Sequence, residues 1–339
     1  MDFSQTREER ALVEALGKIL ASVCSTQRLR AWEAGNVSMD DAFARAIAAG
    51  GFLEAGLPFG EAPSFSLLVQ LEEEAGKFLA PPVLSWIAGY AAFLASDQPL
   101  ARRLAAGEIL SVAPPGRARL DIHDERLTGQ ASGLLFADRA QQLLVVLGSR
   151  LALVETRRVS LQPVAMQSGV PHWRGQLENA EAEWISVPTE RLALAHDRLR
   201  VCQAAWSAGA GRKAIGLAVA YACEREAFDH KIGSYQSVQN RLVDAAIQVE
   251  EARLLAYRAA SLIDAGETTP LATLARHLAG SALAQATRAA MLTFGGYSFT
   301  VDFDIQLYFR RAKEAQLDFE PRVPWDRGQL PPPFRGEAA

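Results

Sequence analysis

The hydrophobic pattern of the chain changes character twice along its length. Residues 5–110 alternate amphipathic helical stretches with Gly and Pro breakers. Short apolar runs separated by Gly, Asp, Ser or Arg then indicate β-strands between residues 119 and 164. Long helical periodicity returns at 190–228, 235–265, 270–292 and about 303–317. The pattern predicts an α+β, mainly α fold, in which a small middle β domain separates an N-terminal helical domain from a C-terminal four-helix bundle.

The same changes of pattern predict the domain boundaries. The first boundary lies next to the helix-breaking run Pro114-Pro115-Gly116. A C-terminal segment that contains Pro331-Pro332-Pro333 has no periodic pattern, which is typical of a mobile or partner-docked tail. We expect the N-terminal helical domain at 1–111, the small β domain at 112–187, the C-terminal four-helix bundle at 188–320 and the tail at 321–339.

An acidic run interrupts the helical pattern of the N-terminal part. Leu67 and Leu71 belong to the apolar face of a helix predicted at 66–79. Glu72 and Glu73 fall on the opposite face, within the run of three glutamates at 72–74. We therefore predict that these carboxylates face solvent.

Composition and charge exclude several classes of function. The 339 residues carry a formal net charge of -4, so no overall positive field attracts nucleic acid or an anionic membrane surface. The three cysteines form no Cys-x-x-Cys pair, which favours free thiols in a reducing compartment over disulfides or a zinc site. No basic leader precedes an apolar run, and no apolar stretch approaches the length of a membrane span. We expect a cytoplasmic protein with no metal, no nucleic acid partner and no membrane association.

The most informative motif lies between the first two long C-terminal helices. Arg225 is followed by Phe228 three residues later and by Gln236 eleven residues later. A fixed cation can bind a phosphate and an aromatic side chain can pack on a flat ring, and this motif contains both residue types. Each residue also has a purely structural alternative, because Arg225 could cap a helix, Phe228 could be a core residue and Gln236 could lie on the surface.

A second motif follows at the end of the third long helix. Phe294 precedes the pair Gly295-Gly296, and the run from Tyr308 to Lys313 reads Tyr-Phe-Arg-Arg-Ala-Lys. A glycine pair can stop a helix, and it also lets backbone approach a ligand closely. In order and spacing the two motifs resemble the flavin-contacting signature of the acyl-CoA dehydrogenase family. The resemblance covers most of the chain in outline, but it is specific at motif level only within residues 221–313.

This resemblance implies a cofactor, a reaction and roles for individual residues. The cofactor would be FAD, the reaction the α,β-dehydrogenation of an acyl-CoA thioester, and the electron acceptor an electron-transfer flavoprotein. Toward the FAD of a neighbouring subunit, Arg225 would hold the pyrophosphate, Phe228 would pack against the cofactor and Gln236 would hydrogen-bond near the adenine end. Gly295 and Gly296 would let the chain pass the dinucleotide without a side chain.

Several positions depart from the family pattern around the flavin ring. The family surrounds the ring with a loop and a strand that are rich in hydroxyl and amide groups. This chain instead reads Val-Ala-Pro-Pro-Gly-Arg at 112–117 and Gly-Gln-Ala-Ser-Gly-Leu-Leu at 129–135. The glycine that usually follows the motif phenylalanine is replaced by Asp229, and a glutamine before the glycine pair is replaced by Leu292.

The position of the catalytic base departs as well. The reaction needs a carboxylate to remove the α-proton of the substrate. One family position for this base falls on Phe319, between Asp318 and Glu320, and the other falls on Leu199. Neither is a carboxylate, so Glu320 is a candidate base only if the loop shifts by one residue.

The chain keeps the motif that would contact the FAD of a neighbouring subunit, but it lacks the base. This combination suggests that two different subunits together form one active site. The leading hypothesis is an oxidoreductase subunit of a heteromeric α2β2 acyl-CoA dehydrogenase, whose homologous partner subunit supplies the base and most of the substrate pocket. The resemblance to such enzymes implies a bulky substrate, such as a steroid side-chain CoA thioester, and a place in lipid metabolism and steroid degradation. Two alternatives stay open: a self-sufficient homo-oligomeric dehydrogenase with Glu320 or Asp318 as its base, and a flavin-free structural subunit.

Overall fold

A computed structural model describes residues 6–58, 64–267 and 269–317. The three candidate base positions Asp318, Phe319 and Glu320, together with the predicted tail, lie outside these residues. Within the described ranges, no helix has the combination of length and apolar character that crossing a membrane requires.

Capping residues encode the starts of the N-terminal helices. Thr6, Ser25, Asp40 and Ser64 each accept, through a side-chain oxygen, a hydrogen bond from a backbone N–H in the first turn of the helix that follows. The helices are α1 Arg7–Val23, α2 Thr26–Gly35, α3 Asp41–Ala49, α4 Phe65–Lys77 and α5 Pro99–Ala105, with a 3-10 turn at Phe52–Glu54 and a fully buried π-helix at Leu84–Ala92.

Two four-stranded sheets form the middle of the chain. The first has the strand order β1-β4-β5-β8, with β1 and β4 parallel and the other pairs antiparallel. The second has the order β2-β3-β7-β6 and is antiparallel throughout. Leu134, Val145 and Trp173 belong to a small core that both sheets share. The strands are β1 Ser111–Val112, β2 Ala118–His123, β3 Arg126–Leu134, β4 Gln142–Leu147, β5 Arg150–Glu155, β6 Val159–Val164, β7 His172–Glu181 and β8 Glu183–Ser186.

Four long helices and one short hairpin complete the fold. The backbones of helices α6 and α4 are in direct contact. A Cβ atom on Gly209 would stand 1.8 Å from the Glu73 carbonyl oxygen, and a Cβ atom on Gly76 would stand 2.0 Å from the Trp206 carbonyl oxygen. Glycine alone permits this backbone contact. The predicted α+β, mainly α fold class is confirmed. The elements are α6 Thr189–Glu224, β9 Glu226–Ala227, β10 His230–Lys231, α7 Gln236–Asp264, α8 Leu271–Phe294 and α9 Ile305–Leu317.

The prediction that Glu72 and Glu73 face solvent was wrong. Glu72 is fully buried and Glu73 is 4% exposed, because α6 and α7 also pack against α4. Glu73 accepts hydrogen bonds from the Tyr257 hydroxyl (2.5 Å), Arg253 Nε (3.0 Å) and Arg212 Nη1 (2.5 Å). Burial alone would raise the pKa of Glu73, but the Tyr257 hydroxyl and the two arginines together hold it below its usual value.

Candidate functional site

The first flavin-like motif folds as a tight hairpin that presents an aromatic ring to solvent. Strands β9 and β10 pair antiparallel through a two-residue turn made of Phe228 and Asp229. Both turn residues have positive φ, 54° and 65°, as a type I′ turn requires. The left-handed region costs a non-glycine residue about 1 to 2 kcal/mol. The Phe228 side chain is nevertheless 89% exposed, so the strained turn holds a large apolar ring in water.

Several hydrogen bonds fix this hairpin between α6 and α7. The Ile232 amide donates to the Arg225 carbonyl (2.9 Å), which closes the hairpin at its base. The Tyr235 hydroxyl donates to the Ala227 carbonyl (2.9 Å), one residue before the turn. Lys231 Nζ lies 2.6 Å from Glu226 Oε1 across the two strands. The backbone that carries the exposed Phe228 ring is therefore fixed by the fold.

A glycine at position 229 is expected to stabilise the protein. Asp229→Gly removes a Cβ from a left-handed residue, and this relief exceeds the entropy that glycine adds to the unfolded chain. We expect a gain of about 0.5 to 1 kcal/mol in the free energy of unfolding, measured by urea titration. Asp302→Gly is the matched control, since Asp302 is also exposed but has no positive φ. The control should lose stability, and an equal loss at both positions would contradict the argument.

The two sequence motifs meet in the folded chain. Arg225 follows the last residue of α6, and its guanidinium carbon lies 5.6 Å from the centroid of the Tyr297 ring. Tyr297 directly follows the pair Gly295-Gly296. The distance is within the range of a cation–π contact. Tyr297 was missed by the sequence reasoning, and its only signal was its place beside the glycine pair.

An aromatic cluster holds these helix ends together. Tyr221, one turn before Arg225, stacks on Phe294 at the end of α8 with ring centroids 4.3 Å apart. Phe303, just before α9, lies 5.3 Å from Phe294 and 5.8 Å from Tyr297. Such pairs add to the energy of apolar burial. The relative position of the two motifs therefore rests on aromatic packing.

The glycine pair leaves an open stretch of backbone beside Tyr297. Gly295 has φ 63° and ψ -138°, a conformation that is essentially restricted to glycine. A Cβ placed on either Gly295 or Gly296 would meet no atom within 4 Å in the described part of the chain. Arg30 on α2 anchors the loop that follows, since its Nη2 donates to the Val301 carbonyl and to Asp304 Oδ1, both at 2.8 Å.

These groups fit half of a dinucleotide site on an outer surface. Arg225 offers an exposed cation, Phe228 an exposed ring and the glycine pair a bare backbone. Gln236, the first residue of α7, is exposed as well. The structure joins Arg225 to the glycine loop through Tyr297, whereas Phe228 lies on the connection between α6 and α7 and Gln236 at the start of α7.

The interior cleft of the same chain is nearly filled. A cavity of about 80 Å³ lies where the N-terminal helices, the sheets and the C-terminal bundle meet. Val112, Leu134 and Leu135, from the two segments that lack the family's ring-contacting residues, are all buried. Residues that line the cavity include Pro82, Trp86, Leu135, Trp206, Arg276 and Arg311.

Charged residues from α9 and β7 close one side of this cavity. Arg311 Nε donates to the Ser168 carbonyl (3.0 Å), and Glu314 Oε1 lies 3.0 Å from His172 Nε2. Burial lowers the pKa of Arg311. Burial would raise the pKa of Glu314, but the His172 ring and Ser168 hydrogen-bond to it and hold it below its usual value. The sequence reasoning missed this group, for which the spacing of Arg311 and Glu314 on one helix face was the only signal.

The alternative base position on α6 contains no acid–base pair. Leu199 is buried in the core. His196 Nε2 meets the Tyr90 hydroxyl at 3.1 Å, while Asp197 binds Arg200 Nη1 at 2.8 Å. Burial lowers the pKa of His196 to about 4. His196 and Asp197 are therefore held in two separate pairs.

Comparisons with known proteins agree with this architecture. Residues 191–317 match the model of the acyl-CoA dehydrogenase C-terminal domain. Acyl-CoA dehydrogenase IpdE2 of Mycobacterium tuberculosis is 30% identical over 265 residues, which cover 78% of this chain and 76% of that protein. IpdE2 of Mycolicibacterium smegmatis is 37% identical over 127 residues, 37% of this chain and 40% of the relative. Cyclohexane-1-carbonyl-CoA dehydrogenase of Geobacter metallireducens is 35% identical over 115 residues, 32% of this chain and 30% of the relative. The last two matches thus cover less than half of each relative.

Solved structures of similar fold include assemblies of two different chains. The ChsE4-ChsE5 complex from Mycobacterium tuberculosis has a TM-score of 0.83 at 21% identity, with 94% of this chain and 95% of that chain covered. The Tcur3481-Tcur3483 steroid ACAD G363A variant has a TM-score of 0.82 at 25% identity, with 91% and 92% covered. The long match to IpdE2 extends beyond the C-terminal helices through most of both chains. This chain therefore belongs to the acyl-CoA dehydrogenase family.

Proposed function

We propose that this chain is one subunit of an FAD-dependent acyl-CoA dehydrogenase and that it completes an FAD site shared with a homologous subunit, which supplies the catalytic base. The observation that carries the proposal is the contrast between its surface and its interior. Arg225, Phe228 and the glycine pair face outward, whereas the interior cleft is closed by side chains. Bound FAD would accept the hydride that leaves the β-carbon of the thioester.

Each exposed group has a definite part in holding the cofactor. Arg225 offers planar N–H donors that match a phosphate. The ring of Phe228 covers a flat part of the cofactor and excludes water from it. Gln236 donates and accepts hydrogen bonds near the adenine end. Gly295 and Gly296 bring backbone close to the dinucleotide, because no side chain stands in the way.

The interior supports the assignment of the base to the partner. Ligand pockets usually measure about 300 to 1,000 Å³, far more than the 80 Å³ of the cavity where the N-terminal helices, the sheets and the C-terminal bundle meet. The position on α6 where the family has a carboxylate is the buried Leu199. We therefore propose one substrate and one flavin for each pair of different chains.

An apolar stripe on α7 supports an obligate partner. Val243, Ile247 and Leu254 lie on one helix face and are 55%, 52% and 41% exposed. Leu278 and Leu292 add exposed apolar area on α8. Several large apolar side chains exposed on one helix face are typical of protein interfaces. A dimer of heterodimers would cover this surface by symmetry.

The similar structures guide the proposed substrate and electron acceptor. The Tcur3481-Tcur3483 protein is described as a steroid acyl-CoA dehydrogenase, so we propose a bulky steroid-type CoA thioester as the substrate class. One similar chain comes from a structure described as the electron transferring flavoprotein of Acidaminococcus fermentans, and we propose a protein of that kind as the acceptor.

Flavin absorbance of the purified protein, alone and co-expressed with its homologous subunit, tests the proposal. We expect about one FAD per pair of chains in the complex, bleaching by an acyl-CoA thioester, and no bound FAD in this chain alone. The homologous subunit alone is the matched control. Flavin that binds and bleaches in this chain alone would instead favour the self-sufficient dehydrogenase. A complex without flavin would favour the structural subunit.

A further inference from the structure

Arg225 is an exposed cation with an unusual environment. Among the described residues no carboxylate or carbonyl oxygen binds its guanidinium, and the aromatic ring that faces it is that of Tyr297. The adjacent Glu226 pairs with Lys231 instead. A carboxylate partner would occupy the N–H donors of the arginine, whereas an aromatic ring attracts the cation and leaves those donors free.

Tyr297 is itself held in place on both sides. The Ser298 hydroxyl, fully buried, donates to the Gly295 carbonyl (2.7 Å). The Thr300 hydroxyl and amide donate to the Tyr297 carbonyl at 3.0 and 3.1 Å. The Phe303 ring lies 5.8 Å from the Tyr297 ring. The Tyr297 hydroxyl makes no hydrogen bond within the described part of the chain. Tyr297 therefore acts on the Arg225 guanidinium through its ring.

We infer that Tyr297 is a positioning residue for cofactor binding, whose ring restricts the Arg225 guanidinium to the orientation in which it meets a diphosphate. The inference rests on the proposed function, because it concerns the same shared site. An unrestrained arginine has many rotamers and loses this freedom on binding. A ring that limits these rotamers beforehand reduces the loss and strengthens binding.

The FAD affinity of the flavin-free complex, measured by titration with flavin fluorescence as the signal, tests the inference. Tyr297→Phe should bind FAD within about two-fold of the wild-type affinity, because it keeps the ring. Tyr297→Leu should bind about five-fold more weakly, the fold-change typical of a lost exposed cation–π contact. In the Arg225→Ala background, Tyr297→Leu should cause no further loss.

A second readout needs no cofactor. In NMR spectra of the full chain, the side-chain resonances of Arg225 should carry a ring-current shift that Tyr297→Phe preserves and Tyr297→Leu removes. An unchanged Arg225 spectrum in Tyr297→Leu would overturn the inference, as would a Phe variant that binds FAD as weakly as the Leu variant. If Arg225→Ala itself leaves FAD affinity unchanged, the proposed function fails. If Arg225→Ala loses FAD and Tyr297→Leu does not, only the positioning role fails.

Discussion

Replacing Glu72 with glutamine is expected to stabilise the protein, by an amount that grows with pH. Burial raises the pKa of the Glu72 carboxyl from 4.5 to about 8. Between these values the folded protein keeps a proton that the unfolded chain releases, so the free energy of unfolding falls by about 1.4 kcal/mol per pH unit. The loss is absent below pH 4.5, where both states are protonated, and it reaches about 3 kcal/mol near pH 7. Glutamine has no proton to release and removes this loss.

The surroundings of Glu72 explain why its carboxyl is neutral. Neither carboxyl oxygen has a hydrogen-bond partner of good geometry among the described residues. Ser85 lowers the pKa only in part, since its hydroxyl donates to the Pro82 carbonyl (3.2 Å). The nearby Cys202 thiol is also fully buried, and burial together with Glu72 raises its pKa. An ionised Glu72 would therefore be an unpaired charge in the core.

Urea unfolding at about pH 5, 6, 7 and 8 measures this effect. The stability difference between Glu72→Gln and the wild type should widen by about 1.4 kcal/mol per pH unit. Glu73→Gln is the matched control on the same helix. It should destabilise the protein by about 3 kcal/mol, by nearly the same amount at each pH, because the pKa of Glu73 is low and its carboxylate is ionised in both states. Parallel pH profiles for Glu72→Gln and the wild type would show that Glu72 is ionised in the fold.

The error at Glu72 shows that helical periodicity does not predict whether the polar face of a helix is exposed or buried. A one-sided apolar pattern assigns the polar face of a helix to water. Helix α4, however, lies in the centre of the fold, and nearly all of its residues from Phe65 to Gly76 are buried. Whether a polar face meets solvent or another helix depends on the close approach of α6 at Gly209, which periodicity along one helix does not encode.

The end of a helix was predicted well where a glycine marks it, and poorly at the end of α6. The helix expected at 235–265 is observed at Gln236–Asp264, and Gly266 follows it with φ 75°. The helix expected at 190–228 ends earlier, at Glu224. Its last residues form the hairpin, because Phe228 and Asp229 adopt a left-handed turn, a conformation that is common for aspartate but not for phenylalanine.

The candidate site was predictable only in part. The resemblance of two motifs indicated Arg225 and the glycine pair, which are local in sequence. Their contact through Tyr297 depends on the packing of α6 against α8 by Tyr221 and Phe294, which are far apart in the chain. The filled cleft likewise depends on side chains from all three parts of the fold.

The second large effect is expected on FAD binding by the complex with the homologous subunit. It should appear when the side chain of either Arg225 or Phe228 is removed. Arg225→Ala should weaken FAD binding about ten- to hundred-fold, the usual cost of losing charge-assisted hydrogen bonds to a phosphate. Phe228→Ala should weaken it about thirty-fold or more, as expected for a central aromatic contact. Alanine keeps the Cβ at the left-handed position, so the strain of the turn is unchanged and only the ring is lost.

Equilibrium dialysis of the flavin-free complex against FAD, together with size-exclusion chromatography, measures these losses. Arg117→Ala in the β-sheet region is the matched control, because Arg117 is also exposed and makes no side-chain hydrogen bond within the described residues. The control should retain the wild-type FAD content. The two motif variants should remain folded, because neither side chain packs in the core. Wild-type FAD affinity in both variants would exclude this surface as the cofactor site. Loss of the complex rather than of FAD alone in Phe228→Ala would mean that the ring contacts the partner protein and not the cofactor.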